Sequence, residues 1–289
     1  MTQPPTQSHP ARLIIACDDH TGIVAAVTGF LTARGANIVT LDQYSTDASG
    51  GRFFMRVSFV DGGDPDELEA VFQTHVAERF NMWWRLRREN AMQRVAIMVS
   101  KYDHCLLDLL WRWRRGELPM DVVCVVSNHE DARADVEALG LEFIHLPVEK
   151  GKKDEAEAKL VELIGTRVDL VILARYMQIL SGELIDHLAV PIINIHHSFL
   201  PAFAGAGPYE RARERGVKLI GATAHYVTEI LDDGPIIEQD VLRVDHRATA
   251  EELERVGRDV ERVALARAVR SHLHDLVLVD GTRTIVFPG

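Results

Sequence analysis

The sequence predicts an α/β chain of two domains, a small α+β domain followed by a larger one built on an open, mostly parallel sheet. Three observations predict it. Residues 11–90 carry short apolar runs and amphipathic stretches in the order strand, helix, strand, strand, helix, strand, which is the ferredoxin-like arrangement. After a polar stretch at 87–93, reading RRENAMQ, the rhythm changes to continuous apolar strands separated by helices. That pattern marks a Rossmann-like parallel sheet covered on both faces. A chain of 289 residues is also too long for one minimal core and suits two of ordinary size. The expected division is a disordered tail at 1–10, the first domain at 11–90 and the second at 94–289.

In the first domain, Leu13 to Cys17 is a short apolar strand and Asp18 to Gly22 a polar loop. A helix then places Ile23, Val24, Val27, Phe30 and Leu31 on one face, and Gly35 ends it as a left-handed cap. Asn37 to Tyr44 and Arg52 to Val60 read as strands joined by a turn around Ser49-Gly50-Gly51. A second helix covers 65–79 and a closing strand 82–86. In the second domain the apolar strands are 95–99, 122–126, 143–146, 170–173 and 192–196, with helices at 105–113 and 154–164 among those between them. Segments 219–227 and 236–244 read as an antiparallel addition, and a long amphipathic helix at 249–273 closes the domain.

A net charge of −11 argues against nucleic acid, whose phosphates need a basic surface. The basic concentration Trp111-Arg112-Trp113-Arg114-Arg115 falls at a helix end, where cations offset unsatisfied carbonyls. No apolar run approaches the roughly 20 residues of a membrane span. The start, MTQPPTQSHP, has no signal-peptide character. Cys17, Cys105 and Cys124 form no Cys-x-x-Cys pair and read as small buried residues of a reducing compartment. The expectation is a cytoplasmic protein.

The chemistry concentrates between 192 and 240. Asn194 and His196 are two apart on one strand and so share a face, at the carboxyl end where open α/β sheets bind ligands. A pair of polar residues satisfied by backbone at a strand end explains them equally well. The loop from Phe203 to Pro208 is Gly-rich and able to lie over a site. Leu231-Asp232-Asp233-Gly234-Pro235 is by default a turn, but the strand 221–227, reading GATAHYV, leads directly into it. Asn, His and a carboxylate suffice for hydrolysis of an amide. The imidazole takes a proton from water, the carboxylate orients it, and the amide donates to the developing oxyanion.

INIHHSFLPAF, GATAHYV and LDDGPII, in this order and spacing, resemble the core motifs of the folate-dependent formyltransferase superfamily. The resemblance covers 94 to about 275. It implies catalytic roles for Asn194, His196 and Asp232, the last lying seven residues beyond His225. LARYMQIL at 173–180 resembles the superfamily's folate-contacting loop. That implies folate contacts from Met177, Ile179 and Leu180 and a weak role for Gln178; His225 and Val227 complete the implied substrate set. A core-facing helix start is the plain alternative for this segment.

Transferases of the superfamily that act on a phosphorylated acceptor hold its phosphate in a Gly-rich turn after the first strand. Here that strand runs into Ser100-Lys101-Tyr102-Asp103-His104-Cys105, without glycine. The missing cradle and the N-terminal domain resemble the formyltetrahydrofolate deformylases, in which a ferredoxin-like regulatory (ACT) domain precedes the formyltransferase fold. Gly207 departs from the basic residue expected before Pro208-Tyr209. The resemblance implies hydrolysis of 10-formyltetrahydrofolate to formate and tetrahydrofolate. Formate would supply purine biosynthesis and the reaction would balance the one-carbon pool. No cofactor is implied and no metal, the 13 histidines being scattered. A formyltransferase to a non-phosphorylated amine and a non-catalytic folate or amino-acid sensor are the rivals. A dinucleotide oxidoreductase fails for want of Gly-x-Gly-x-x-Gly after Val99.

The Asp18-to-Gly22 loop reads on its residues as a helix-capping loop, with Asp19 or Thr21 satisfying helix N–H groups. The resemblance to ACT domains implies instead an amino-acid effector near Asp19 and Gly22, with glycine or methionine as candidates. It also implies a homo-oligomer joined at the open sheet edge.

Overall fold

The computed structural model describes residues 10–47, 49–88, 91–201 and 208–289. The tail expected at 1–10 lies almost wholly outside the described residues, and so does the loop from Phe203 to Gly207.

The chain forms two compact units. The first comprises residues 1–92 with Asp275–Leu278 and Ile285–Gly289. Strands β1 (Ala11–Asp18), β2 (Asn37–Ser45), β3 (Arg52–Val60) and β4 (Trp83–Arg88) make an antiparallel sheet in the order β2-β3-β1-β4. Helices α1 (Ile23–Ala33) and α2 (Pro65–Phe72) belong to the same unit. Past Phe72 the coil continues as a π turn and a 3-10 turn to Phe80, where the sequence predicts one helix. Gly35 closes α1 as predicted, at φ 78°, its N–H donating to Thr32 O and that of Ala36 to Leu31 O. Val24, expected on the buried face, is exposed.

Strand β1 is apolar from Leu13 to Cys17 because both its faces are covered there. Leu13, Ile15 and Cys17 pack with Ile23, Val27, Leu31 and Phe72. Ile14 and Ala16 point the other way and pack, with Phe54, against Leu276, Leu278 and Phe287. The second face is a finding: the sequence reading assigns everything from 94 to 289 to the other domain, whereas the last residues return to this one. The linker is also shorter than RRENAMQ, since β4 runs to Arg88 and the next strand begins at Gln93.

The second unit comprises residues 93–274 with 279–284. Its strands are β5 (Gln93–Val99), β6 (Met120–Ser127), β7 (Phe143–His145), β8 (Leu170–Leu173), β9 (Ile192–His196), β10 (Leu219–Tyr226) and β11 (Ile236–Arg243). They stand in the order β11-β10-β9-β8-β5-β6-β7. Pairing is parallel from β7 through β9, and β10 runs antiparallel to both β9 and β11. The helices are α3 (His104–Arg114), α4 (Arg133–Glu137), α5 (Lys153–Ile164), α6 (Gly182–Leu188), α7 (Pro208–Arg215) and α8 (Ala250–Leu273). A capping box starts α8: Glu252 N–H donates to Thr249 Oγ1 at 3.1 Å and Thr249 N–H to Glu252 Oε2 at 2.8 Å. A short hairpin, β12 (Val277–Asp280) and β13 (Arg283–Val286), ends the chain.

The three cysteines are free and buried, as read, and burial pushes the thiols of Cys17 and Cys124 up to about 11. Among the described residues no helix is long and apolar enough to cross a membrane.

Candidate active site

The carboxyl ends of β8 and β9 and the turn between β10 and β11 enclose a cavity of about 370 Å³. Strand order explains its position. Strand β9 is the last parallel strand and β10 runs antiparallel beside it, with Thr223 opposite His196 and Tyr226 opposite Ile193, so the β10–β11 turn starts at the amino end of β9 and its residues 228–232 reach back to line the cavity beside Asn194 and His196.

The register makes Asn194 the partner of His225, and His196 the partner of Thr223. Asn194 Nδ2 lies 3.2 Å from His225 Nε2, and His225 Nδ1 lies 2.9 Å from Tyr226 O. A carbonyl only accepts, so Nδ1 carries the proton and Nε2 accepts from the Asn194 amide. Burial lowers the His225 pKa, against the opposing pull of the Tyr226 carbonyl and Asp232, and keeps this ring neutral. One Asn194 N–H is thereby fixed and the other remains to donate. Thr223 holds the segment after β9: its Oγ1 donates to Ser198 O at 2.9 Å and accepts from Leu200 N–H at 3.0 Å.

His196 Nδ1 lies 3.2 Å from Asp232 Oδ1. A carboxylate at that distance favours the proton on Nδ1, leaving the Nε2 lone pair. Nε2 is buried without a hydrogen-bond partner among the described residues. Burial lowers the pKa of His196, and the charge of Asp232 only partly restores it. Asp232 meets it from a left-handed backbone, φ 58°, which aspartate tolerates better than most residues. Gly234 permits the turn, because a Cβ there would stand 1.7 Å from Tyr226 O. Asp232 rather than Asp233 faces the imidazole, as the motif spacing requires.

Met177, Gln178, Ile179, Leu180, His225 and Val227 all line the cavity. Met177 and Ile179 are more than half exposed, and so are Ile230 and Leu231 on the opposite lip. Leu180 is partly buried and packs against the core of the unit. Sequence reasoning missed Arg175, His197, Ile230 and Leu231, which also line the cavity. Their signal was present for Ile230 and Leu231, an apolar pair directly before the Asp232 turn. His197, next to His196, is half-buried, and its desolvation lowers its pKa to about 4, with the charge of Arg175 adding to the effect.

In the first unit, Asp19 accepts from Ser45 Oγ at 2.5 Å, and Asp18 pairs with Arg52 at 3.2 Å. Gly22, at φ 93°, is the N-cap of α1, and among the described residues no side-chain hydrogen bond caps the helix. The capping role expected of Asp19 or Thr21 is therefore not taken up. Among the described residues the potential metal ligands that cluster are His104, Cys105 and Glu261, not the His196-His197 pair.

Asn194, His196 with Asp232, and an apolar-lipped cavity thus stand together at the carboxyl ends of β8 and β9. Residues 93–269 match the formyl transferase family and residues 11–75 the ACT domain. The chain is 56% identical to the formyltetrahydrofolate deformylase of Mycobacterium tuberculosis, over 96% of this chain and 90% of that one. The crystal structure of a formyltetrahydrofolate deformylase from Pseudomonas syringae superposes with a TM-score of 0.93 at 48% identity, covering 98% of this chain and 96% of that one. A glycinamide ribonucleotide transformylase from Symbiobacterium toebii matches at 31% identity and a TM-score of 0.62, over 68% of this chain and 95% of that one. The chain belongs to the formyltetrahydrofolate deformylase family and is an enzyme of the hydrolase class.

Proposed function

We propose that the chain hydrolyses 10-formyltetrahydrofolate to formate and tetrahydrofolate, with His196 as base, Asp232 as its orienting carboxylate and Asn194 as the oxyanion donor. The observation that carries this reading is His196: a neutral imidazole, its Nδ1 against Asp232 and its Nε2 unpaired, beside an amide whose second N–H is free to donate. His196 Nε2 takes a proton from water as the water oxygen attacks the formyl carbon. The oxyanion that forms accepts from Asn194 Nδ2, and the imidazolium is stabilised by Asp232. The C–N10 bond then breaks, Nε2–H passes its proton to N10, and formate departs with loss of a proton to solvent. The scheme uses side chains alone, and we include no cofactor or metal in it.

The two apolar lips, Met177 with Ile179 and Ile230 with Leu231, would close on the flat pteridine and benzoyl rings, with Leu180 and Val227 beneath. Gln178 has at most a minor contact. The N-terminal unit is proposed to bind an amino acid near Gly22 and Asp19 and to join copies of the chain through its sheet edge. Formate made this way would feed purine biosynthesis.

The test is to incubate purified protein with 10-formyltetrahydrofolate and follow formate and tetrahydrofolate. Formate produced without any added amine supports hydrolysis. Formate absent until an amine is supplied would make the protein a transferase, and no turnover under either condition would make it a sensor. Titration calorimetry with single amino acids tests the effector. Heat from glycine or methionine that Asp19→Ala abolishes supports it, and no heat from any amino acid removes it.

A further inference from the structure

Arg175 occupies the cavity but has no part in the chemistry above. It follows β8 at φ 65°, a left-handed conformation that a side-chain-bearing residue rarely adopts. Ser100 pins the bend from two sides. Its N–H donates to Arg175 O at 3.3 Å, and its Oγ accepts from Met177 N–H at 3.0 Å while donating to Asn128 Oδ1 at 2.7 Å. The residue is 8% exposed and lines the cavity with His196 and His197.

A buried guanidinium needs both a counter-charge and acceptors for its N–H groups. The charge is met: Glu261 Oε2 stands 3.4 Å from Nε, and the guanidinium lies over the Tyr102 ring, 5.3 Å from its centre. The hydrogen bonds are not met. Glu261 already accepts from Tyr209 Oη at 2.7 Å and from His104 Nε2 at 2.9 Å. Tyr209 reaches it over Gly257, where a Cβ would stand 2.0 Å from the phenol oxygen. Among the described residues Arg175 Nε and Nη1 have no hydrogen-bond partner. A buried cation with an idle donor at Nη1 beside the reacting centre is suited to a small anion.

We propose that Arg175 is a formate subsite: the carboxylate released when the C–N10 bond breaks is taken by Nη1 of this guanidinium, Nε being turned toward Glu261. The proposal rests on the deformylase reading above. Formate is planar, carries one negative charge and arises next to His196 just as that ring returns to neutrality. Charge-assisted bonds to a carboxylate are about twice as strong as neutral ones. The same cation acts on His196 and His197, opposing protonation of both.

The experiment adds sodium formate to the full-length protein, with sodium chloride at equal ionic strength as control. Binding is read by saturation-transfer NMR without folate and as product inhibition of turnover. Wild type, Arg175→Lys and Arg175→Gln are compared after thermal melting shows each folded. Arg175→Lys keeps a cation opposite Glu261, which guards against a variant that merely unfolds. Formate should bind wild type, bind Arg175→Lys about tenfold more weakly and not bind Arg175→Gln. Inhibition by tetrahydrofolate should stay within about twofold in all three, because the lips that would hold it are unchanged. Formate that fails to bind wild type, or that binds Arg175→Gln equally well, overturns the proposal. Turnover without formate binding leaves the deformylase reading standing and removes the subsite. Arg175-dependent formate binding without turnover does the reverse.

Discussion

Asn194 and His225 are register partners across β9 and β10, and the 3.2 Å contact between Asn194 Nδ2 and His225 Nε2 fixes which way the amide points. Replacing His225 by alanine removes the acceptor and lets the Asn194 amide rotate. Turnover should fall on the order of 10²-fold, close to the effect of Asn194→Ala, because both substitutions would disable the proposed oxyanion donor. The double variant should lose little more than either alone. Steady-state kinetics of the three variants check this, and additive losses would separate the two residues.

His196→Ala should abolish hydrolysis while leaving folate binding largely intact. Asp232→Asn should cost on the order of 10³-fold or more in kcat, since an amide neither selects the tautomer nor stabilises an imidazolium. The pH profile follows from the sign of the shift. The His196 pKa is lowered from 6.5, so the base stays neutral into mild acid and kcat declines only below that value. His197, lowered from 6.5 to about 4, and His225, also lowered, resist protonation in the same way. The unfolded chain then binds protons that the folded chain refuses. Stability is full above 6.5 and is lost as pH falls toward about 4. Thermal melts and kcat measured across about pH 4 to 8 test both statements, and a kcat limb above neutrality would contradict the first.

Much of this was legible because strand and motif signals are local. Asn194 and His196 share a strand, and the spacing from His225 points to Asp232, the acid of the pair that faces His196. What was not legible depends on contacts distant in sequence. Arg175 carries no role of its own within LARYMQIL until Glu261, 86 positions later, stands beside it. The apolar run of β1 reads as a buried strand, but nothing in Leu13 to Cys17 says that Leu276 and Phe287 cover one face. Thr223 reads as a strand threonine, although its hydroxyl holds Ser198 and Leu200 in place.

The lips of the cavity predict a split in kinetic effects. Met177 is exposed without substrate, so Met177→Ser should leave the melting temperature unchanged and raise KM. Full burial of such a side chain is worth roughly 1.5–3 kcal/mol, or about 10- to 100-fold. Leu180 packs into the core, and Leu180→Ser should lower stability as well. A Met177 variant with unchanged KM and collapsed kcat would assign that loop another task.

Gly234→Ala introduces a Cβ 1.7 Å from Tyr226 O, the carbonyl that accepts from His225 Nδ1. The turn must move, and Asp232 moves with it. Turnover should fall more steeply than stability, with about 1–3 kcal/mol lost in unfolding. Denaturant titration beside kcat distinguishes this from general collapse, in which both would fail together.

The last residues give the strongest stability prediction. Asp275 is fully buried in the first unit, with its carboxylate 3.2 Å from Arg12 Nε, 2.7 Å from Arg85 Nη2 and 3.6 Å from Arg87 Nε. Asp275→Ala leaves those cations without their shared anion, a loss of about 3–5 kcal/mol when the partners are buried. Part of that is relieved by water reaching Arg85, the most exposed of the three. A chain ending at His274 should lose more, because Leu276, Leu278 and Phe287 leave with Asp275 and uncover Ile14 and Phe54. Conversely, a fragment beginning at Met92 keeps Asn194, His196 and Asp232 but strands that apolar tail in water, so it should need residues 275–289 removed to stay monodisperse. Melting curves of Asp275→Ala and of the truncated chain, with light scattering of the two fragments, test this. A chain ending at His274 that melts as wild type would show that the C-terminal residues do not stabilise the N-terminal sheet.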